Sequence, residues 1–212
     1  MPKATSHGQD DAMKITVLGF GNVGGQLGRL WTAKGHMVTA GLRAASKRAK
    51  TAKELGVTVA EPAVAVKEAD VIAVALPWQT VEVTLASLGP LDGRIVLDAT
   101  NPLAADLSVI VPAAGSGGEQ VAQWTRGARV VKAFNTIGAV LFGDSDFDMF
   151  YCGDDVDAKY TVRGLIEDTT MSPVDAGPLK NARYLEQIAG LWVDLAVNGR
   201  IPGAFGFKLM RK

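Results

Sequence analysis

A glycine-rich loop between a short apolar run and a helical stretch constrains the fold of this chain more than any other feature. The run 14–18 ends at Gly19-Phe20-Gly21-Asn22-Val23-Gly24, and apolar residues follow at helical spacing as far as Trp31. A strand, a Gly-x-Gly-x-x-Gly loop and a helix in this order form the fingerprint of a dinucleotide-binding βαβ unit. The glycines permit a tight turn, close approach of backbone N–H groups to a pyrophosphate, and close helix packing. We therefore predict that residues 19–24 bind a diphosphate at the helix N-terminus.

Apolar runs and helical stretches alternate through the first 135 residues. The predicted strands are 14–18, 37–40, 57–60, 71–76, 94–98 and 129–133, and the predicted helices between them are 23–31, 46–55, 78–88 and 119–126. Such alternation indicates parallel strands joined by right-handed crossovers. The predicted fold class is therefore α/β, with a Rossmann-type doubly wound parallel sheet.

The alternation changes after residue 135. Strands are predicted at 149–152 and 172–175, and helices at 156–169 and 181–197. We predict an NADP-binding Rossmann domain at 13–135 and a small α+β C-terminal domain at 136–212 that completes the acceptor site. Residues 1–12 are polar and are predicted to form a disordered arm.

Composition excludes several classes of function. The chain has 212 residues, with 22 Lys plus Arg and 22 Asp plus Glu, so no basic surplus favours nucleic acid binding. One cysteine and two histidines predict neither a disulfide within the chain nor a cysteine-rich metal site. The longest apolar runs fall far short of a membrane span, and residues 1–12 lack the apolar core of a secretory signal. We expect a soluble, cytoplasmic protein that binds neither nucleic acid nor a membrane.

The end of the second predicted strand indicates which dinucleotide is bound. NAD-specific sites place an acid there, but residues 38–43 contain none and end at Arg43. Lys47 follows four residues later at the start of a helix, and Arg48 is a weaker third candidate. We predict that these cations bind the 2′-phosphate of NADP. A solvated basic helix face is the alternative, because it would have the same composition. The prediction is NADP rather than NAD.

Candidate acid–base residues are few. His7 lies in the predicted arm, and His36 lies at the end of the sheet opposite the expected ligand crevice. Asp98 at a strand end is more typical of loop orientation than of catalysis. Lys132 is the one catalytic candidate, because a partly buried lysine can be tuned as an acid, but its predicted strand is too short to show which way it faces.

This scarcity favours chemistry carried by cofactors. A hydride that passes directly between two stacked rings needs alignment and exclusion of water more than a protein proton donor. Four apolar residues are candidates for the pocket of the second ring, although each is also a common core residue: Trp78, Phe134, Ile137 and Phe207.

Seven motifs in one order resemble those of the NADPH-dependent reductases of coenzyme F420, the F420:NADP oxidoreductase family, which includes bacterial relatives of uncertain electron acceptor. They span about residues 13–212 and are Gly19-Phe-Gly-Asn-Val-Gly24, Gly41-Leu-Arg43, Ala75-Leu-Pro-Trp78, Asp98-Ala-Thr-Asn-Pro-Leu103, Lys132-Ala-Phe-Asn-Thr136, Cys152-Gly-Asp-Asp155 and Asp175-Ala-Gly-Pro-Leu179.

The resemblance implies several further site residues. Arg43 and Lys47 would hold the 2′-phosphate, and the loop Leu76, Pro77 and Trp78 would lie along the cofactor. Residues near the nicotinamide would be Thr100, Asn101 and Pro102 with Asn135 to Ile137. The family often has a serine or threonine before the arginine, and Leu42 in its place is expected to weaken selectivity for NADP. A homodimer is implied as well.

The leading hypothesis is an NADPH oxidoreductase that exchanges hydride with coenzyme F420 or with a flavin such as FMN or FAD. A hydroxyacid or imine reductase is an alternative, although such enzymes normally carry a long all-helical second domain. A third hypothesis is an NADP-binding sensor or non-catalytic subunit. All three hypotheses expect a second copy of the chain as a partner. The two enzyme hypotheses also expect a small-molecule redox acceptor.

Overall fold

The computed structural model describes residues 12–43 and 46–210. Its strands are β1 Lys14–Leu18, β2 Met37–Gly41, β3 Thr58–Ala60, β4 Val71–Val74, β5 Ile95–Asp98, β6 Arg129–Lys132, β7 Asp148–Gly153 and β8 Ser172–Asp175. Its helices are α1 Asn22–Ala33, α2 Lys47–Glu54, α3 Pro62–Ala65, α4 Trp78–Ala86, α5 Gly117–Trp124, α6 Val156–Glu167 and α7 Ala182–Val197. Short 3₁₀ turns lie at Val66–Glu68, Ala139–Leu141 and Leu179–Asn181.

The strands form a single mixed sheet in the order β3-β2-β1-β4-β5-β6-β7-β8. The first six strands are parallel, so the predicted Rossmann-type α/β fold is confirmed. The chain reverses direction at β7, which pairs antiparallel with β6, while β8 pairs parallel with β7. The chain builds the sheet in one direction from β1 to β3 and in the opposite direction from β4 onward, so the strand order reverses between β1 and β4. In such sheets, the ligand crevice lies at this reversal, beyond the carboxyl ends of the strands.

Helices cover both faces of the sheet because its strands are apolar on both sides. Helices α1, α2 and α6 bury one face, with Trp31 at its centre and fully buried. The indole N–H of Trp31 donates to the carbonyl of Leu165, which joins α1 to α6 at 3.0 Å. Helices α4 and α5 bury the other face through residues such as Val81 and Val121.

The predicted element types agree with the structure, whereas several boundaries differ. Strand β4 ends at Val74 instead of 76, α4 ends at Ala86 instead of 88, and α6 ends at Glu167 instead of 169. Helix α5 begins at Gly117, two residues before the predicted start. Helix α3 was not predicted and lies in the connection between β3 and β4.

The division at residue 135 stays a prediction. Strands β7 and β8, which belong to the predicted C-terminal domain, extend the same hydrogen-bonded sheet. The predicted arm falls almost entirely outside the described residues, which begin at 12.

Candidate functional site

The glycine loop is closely packed below and open above. Gly19 has a φ of +87°, and a Cβ there would lie 2.5 Å from the carbonyl oxygen of Ala75. A Cβ on Gly24 would overlap the carbonyl oxygen of Gly19, so helix and strand approach as closely as predicted. A Cβ on Gly21 would meet nothing within 4 Å. That free space next to the backbone fits the diphosphate of a dinucleotide.

Helix α1 begins directly above this loop. Gly21 is its N-cap residue and offers no capping side chain, and the first turn contains no acidic residue. The N–H groups at the start of a helix lack partners within the helix, and together with the macrodipole they favour an anion. The local backbone therefore fits a negatively charged phosphate group.

Arg43 and Lys47 lie on either side of the turn from β2 to α2, and both are exposed. The carbonyl of Arg43 accepts the N–H of Ser46 at 2.8 Å, and the Ser46 hydroxyl caps α2 by accepting the N–H of Arg48. The side chain of Leu42 is buried in the core, so it contributes no polar group to the surface. The cations therefore flank the N-terminus of α2, although residues 44 and 45 of the turn lie outside the described ranges.

A cleft of about 620 Å³ lies between α1, the ends of β5 and β6, and α7. None of its lining residues is charged; they are Asn22, Val23, Gln26, Asn101, Asn135, Ile137, Gly138, Ala139, Val140, Ala189, Trp192 and Val193. The residues Asn22 and Val23 belong to the glycine loop, so the predicted diphosphate site adjoins the cleft. Trp192 stacks on Phe205 with ring centroids 5.4 Å apart, and its N–H donates to the Phe205 carbonyl.

Two asparagines join the loops after β5 and β6 at the floor of this cleft. The Asn101 Nδ2 group donates to the carbonyl oxygen of Asn135 at 2.9 Å. The Asn135 Nδ2 group donates in return to Asn101 Oδ1 at 3.0 Å. The predicted nicotinamide residues Asn101 and Asn135 are thus brought together at the carboxyl ends of neighbouring strands.

Five further residues implied by the resemblance do not line the cleft: Leu76, Pro77, Trp78, Thr100 and Pro102. Thr100 is buried and donates both its N–H and its hydroxyl to Asp98, and Pro102 is buried beside α5. Leu76 and Pro77 lie in the turn into α4, with Leu76 next to Gly19. Trp78 packs on Trp124 of α5 at 5.2 Å.

Of the four residues predicted for the pocket of the second ring, Ile137 lines the cleft. Phe134 is buried and packs edge-on against Trp31 and Phe142, which places it in the core. Sequence analysis did not identify the three α7 residues that line the cleft, Ala189, Trp192 and Val193. The spacing of apolar residues along a helix does not show which neighbouring element they meet.

Lys132 is fully buried and does not line the cleft. Its Nζ donates to Asp98 Oδ2 at 2.7 Å, to the Thr100 carbonyl at 2.8 Å and to Glu186 Oε1 at 3.0 Å. Burial disfavours the charged form of Lys132, but the carboxylates of Asp98 and Glu186 outweigh it and raise its pKa above the ordinary value of 10.5. All three protons of the ammonium therefore have acceptors.

Glu186 completes this buried cluster from α7. Its two carboxylate oxygens accept the N–H groups of Gly117 and Gly118 at 2.9 and 3.0 Å. These are the first residues of α5, where a negative charge is favoured by the helix dipole. The cluster therefore connects α7 and α5 with the loop that carries Thr100 and Asn101.

Other reactive groups fall outside the site. Burial is the main cause that raises the pKa of the Cys152 thiol to about 12, so the thiolate form is disfavoured. His36 lies at the end of the sheet opposite the cleft, directly before β2, with its Nε2 3.0 Å from Asp168 Oδ2. Across residues 12–43 and 46–210, no grouping of His, Cys, Asp and Glu is suited to hold a metal ion. Within the same ranges, every helix is too short or too polar to cross a membrane.

Comparisons with known proteins agree with this geometry. The family model described as NADP oxidoreductase coenzyme F420-dependent matches residues 14–102. The F420-dependent NADP reductase of Methanothermobacter marburgensis is 32% identical over 215 residues, which covers 91% of this chain and 96% of that protein. The crystal structure of a putative F420-dependent NADP reductase from an Arthrobacter species superposes with a TM-score of 0.84 at 28% identity, covering 94% of this chain and 100% of that one.

A reductive aminase from Aspergillus terreus shares the fold at a TM-score of 0.67 and 21% identity, with 88% of this chain and 64% of that chain covered. The likeness to the Methanothermobacter reductase extends over nearly the whole of both chains, and the glycine loop, the residues that replace an acid after β2 and the cleft are all present. The chain therefore belongs to the coenzyme F420-dependent NADP oxidoreductase family, and it is an NADP-dependent oxidoreductase.

Proposed function

We propose that this protein transfers hydride between NADP(H) and a planar deazaflavin or flavin acceptor, with coenzyme F420 as the first candidate. The observation that carries the proposal is the shared cleft: the glycine loop and α7 line the same 620 Å³ space. A volume in this range accommodates a nicotinamide together with a second ring. The relatives named as F420-dependent NADP reductases support the choice of acceptor.

The proposed division of labour follows from the two walls of the cleft. Asn22 and Val23 on one side belong to the predicted cofactor domain, and Ala189, Trp192 and Val193 on the other belong to α7. We propose that residues 136–212 complete the acceptor site in this way, with Arg43 and Lys47 holding the 2′-phosphate at the far end. NADPH, when bound, supplies the hydride. The protein would align the two rings and exclude water from between them.

The lining of the cleft favours this chemistry over that of an imine reductase or a hydroxyacid dehydrogenase. Reduction of an imine or of a keto acid calls for a group that donates a proton to the imine nitrogen or the keto oxygen. The lining includes no Asp, Glu, Lys, Arg, His or Tyr side chain, and the protons of Lys132 are engaged in a buried cluster away from the cleft. We propose that Lys132 holds the Thr100 loop in place and does not deliver a proton.

Anaerobic spectrophotometry tests the proposed reaction. We expect oxidation of NADPH in the presence of coenzyme F420, FMN, FAD or riboflavin, and much slower oxidation of NADH. Gly21→Ala is expected to abolish most of this activity, because its methyl group enters the space left for the diphosphate. Gly164→Ala is the matched control, since a Cβ there also meets nothing within 4 Å but lies on α6. Tight binding of NADPH with no oxidation by any acceptor would favour the sensor hypothesis instead.

We also propose a homodimer that uses an exposed apolar stripe on α7. Tyr184, Ile188, Leu191 and Leu195 are spaced on one side of the helix, and Tyr184 and Leu191 are 63% and 52% exposed. Exposed Ile110 and Val111 come from the loop whose Val109 contacts Gly190. Contiguous exposed apolar surface of this kind is typical of an interface.

Light scattering after size-exclusion chromatography tests the dimer. The wild-type chain is expected to elute at twice the monomer mass, and Leu191→Glu is expected to elute as a monomer because it places a charge in the apolar stripe. Val83→Glu on α4 is the control, since Val83 is 68% exposed and lies on another helix. A wild-type monomer, or a dimer unaffected by Leu191→Glu, contradicts this interface.

A cytoplasmic location remains part of the proposal. Cys152 is a free, buried cysteine. Reducing compartments such as the cytosol maintain free thiols, whereas oxidising ones favour disulfides.

A further inference from the structure

In the asparagine pair at the floor of the cleft, Asn101 and Asn135, the hydrogen bonds fix the orientation of both side-chain amides. Asn101 faces the backbone carbonyl of Asn135 at 2.9 Å, and a carbonyl oxygen can only accept a hydrogen bond. The Asn101 atom at that position must therefore be Nδ2, which makes the other atom Oδ1. Because Oδ1 also only accepts, Asn135 must present its own Nδ2 to it at 3.0 Å. Neither amide can be flipped without placing two acceptors, or two donors, against each other.

This leaves Asn135 Oδ1 as a committed acceptor. Asn135 is 4% exposed and lines the cleft, yet its Oδ1 is buried and has no hydrogen-bond partner. A buried polar atom in a native protein is normally paired, because an unpaired one forfeits the hydrogen bond it would make in water. An unpartnered acceptor in the lining of a ligand cleft is explained by a donor that arrives with the ligand.

Donors near the cleft do not reach Asn135 Oδ1. All three protons of Lys132 go to Asp98, the Thr100 carbonyl and Glu186. The side-chain amide of Gln26, which also lines the cleft, donates to the Phe142 carbonyl at 3.2 Å. Asn135 Oδ1 therefore has no partner among the described residues, and the missing donor has to come from a molecule that enters the cleft.

We infer that Asn135 is a specificity-determining residue whose Oδ1 accepts an amide-type N–H from a planar ring bound in the cleft. This inference rests on the proposed function, which supplies two rings with such a group. The carboxamide of the nicotinamide has an N–H, and so does the imide of a flavin or deazaflavin. The shared chemistry is an N–H donor at the ring edge, and a ring edge that presents only acceptors or a methyl group leaves Oδ1 unpaired.

Binding measurements on the unmodified protein distinguish the two sources without requiring turnover. The first arm compares NADPH with its 3-acetylpyridine analogue, in which a methyl ketone replaces the carboxamide. The second compares lumiflavin with N3-methyl-lumiflavin, followed through quenching of tryptophan fluorescence, since Trp192 lines the cleft. One of the two analogues is expected to bind about tenfold more weakly than its parent, the cost of leaving a buried acceptor unpaired.

A substituted protein then assigns that difference to Asn135. In Asn135→Leu, the ratio between the affected analogue and its parent is expected to fall to about one, because the acceptor is gone. Thr32→Val is the matched control: it removes another buried oxygen without a partner, on α1 but at the end remote from the cleft, and should leave the ratio unchanged. If both analogues bind as tightly as their parents, the inference is wrong. If NADPH itself fails to bind, the proposed function is wrong and this inference falls with it.

Discussion

Replacement of Lys132 with methionine is expected to lower the free energy of unfolding by about 3–5 kcal/mol, the usual cost of breaking a buried ion pair from one side. Stability is lost because the substitution leaves two buried carboxylates without their cation. Lys132 Nζ lies 2.7 Å from Asp98 Oδ2 and 3.0 Å from Glu186 Oε1. Glu186 keeps its two N–H donors from α5, whereas Asp98 keeps only the two groups of Thr100. The larger share of the penalty is therefore expected at Asp98.

A second substitution tests that explanation. Lys132→Met combined with Asp98→Asn is expected to be more stable than Lys132→Met alone, because the unpaired carboxylate is removed together with its partner. Lys14→Met is the control for loss of a lysine, since Lys14 forms an exposed ion pair with Glu68, and exposed pairs contribute little. Urea unfolding at pH 7 measures all three. If Lys132→Met is as stable as Lys14→Met, the cluster does not stabilise the fold.

The raised pKa of Lys132 sets the pH range of its contribution. A lysine whose pKa is higher in the folded chain stabilises fully below its unfolded value, near 10.5, and loses that contribution as pH rises through the folded value. The contribution of Lys132 to stability is therefore expected to stay constant from pH 6 to 9 and to decline only above about 10.5. Lys132 stays protonated throughout pH 6–9, so it is not expected to contribute a pKa to the pH dependence of the reaction rate in this range.

The architecture of the first six strands was accessible from the sequence because local patterns specify it. Apolar runs closed by glycine or proline mark the buried parallel strands, and the glycine loop predicts both a turn and a ligand. The start of α5 was not accessible. Two glycines begin that helix because Glu186, 68 and 69 residues away, accepts their N–H groups, and because a Cβ on Gly118 would lie 2.8 Å from Ala182.

The site was only partly accessible for the same reason. The resemblance implied that the residues after β5 and β6 lie near one another, and the structure joins Asn101 and Asn135 by hydrogen bonds. The wall formed by α7 depends on how the C-terminal helix packs across the sheet, and no spacing in the sequence specifies that contact. Lys132 illustrates the limit most clearly: a four-residue strand does not reveal which face its lysine occupies, and the answer comes from Glu186 on a distant helix.

Replacement of Arg43 with alanine is expected to weaken NADPH binding by roughly 10- to 150-fold, the range for loss of hydrogen bonds to a charged group. NADH binding is expected to change by less than about threefold, because NADH lacks the 2′-phosphate that Arg43 is proposed to hold. Leu42 is buried and provides no hydroxyl, so the proposed selectivity for NADP would depend on Arg43 and Lys47. Fluorescence titration with each nucleotide measures the two affinities directly.

Lys53→Ala is the matched control for Arg43→Ala. Lys53 is exposed, lies in the last turn of α2 and carries the same charge as Arg43, so its removal changes the net charge of the protein equally. If Arg43 contacts the 2′-phosphate directly, Lys53→Ala leaves the affinity for NADPH nearly unchanged. In the wild-type protein, added salt then reduces the difference in affinity between NADPH and NADH, because it screens the charge of Arg43. Equal losses of NADPH and NADH affinity in Arg43→Ala would contradict the assignment, because Arg43 would then bind a part of the cofactor that both nucleotides share.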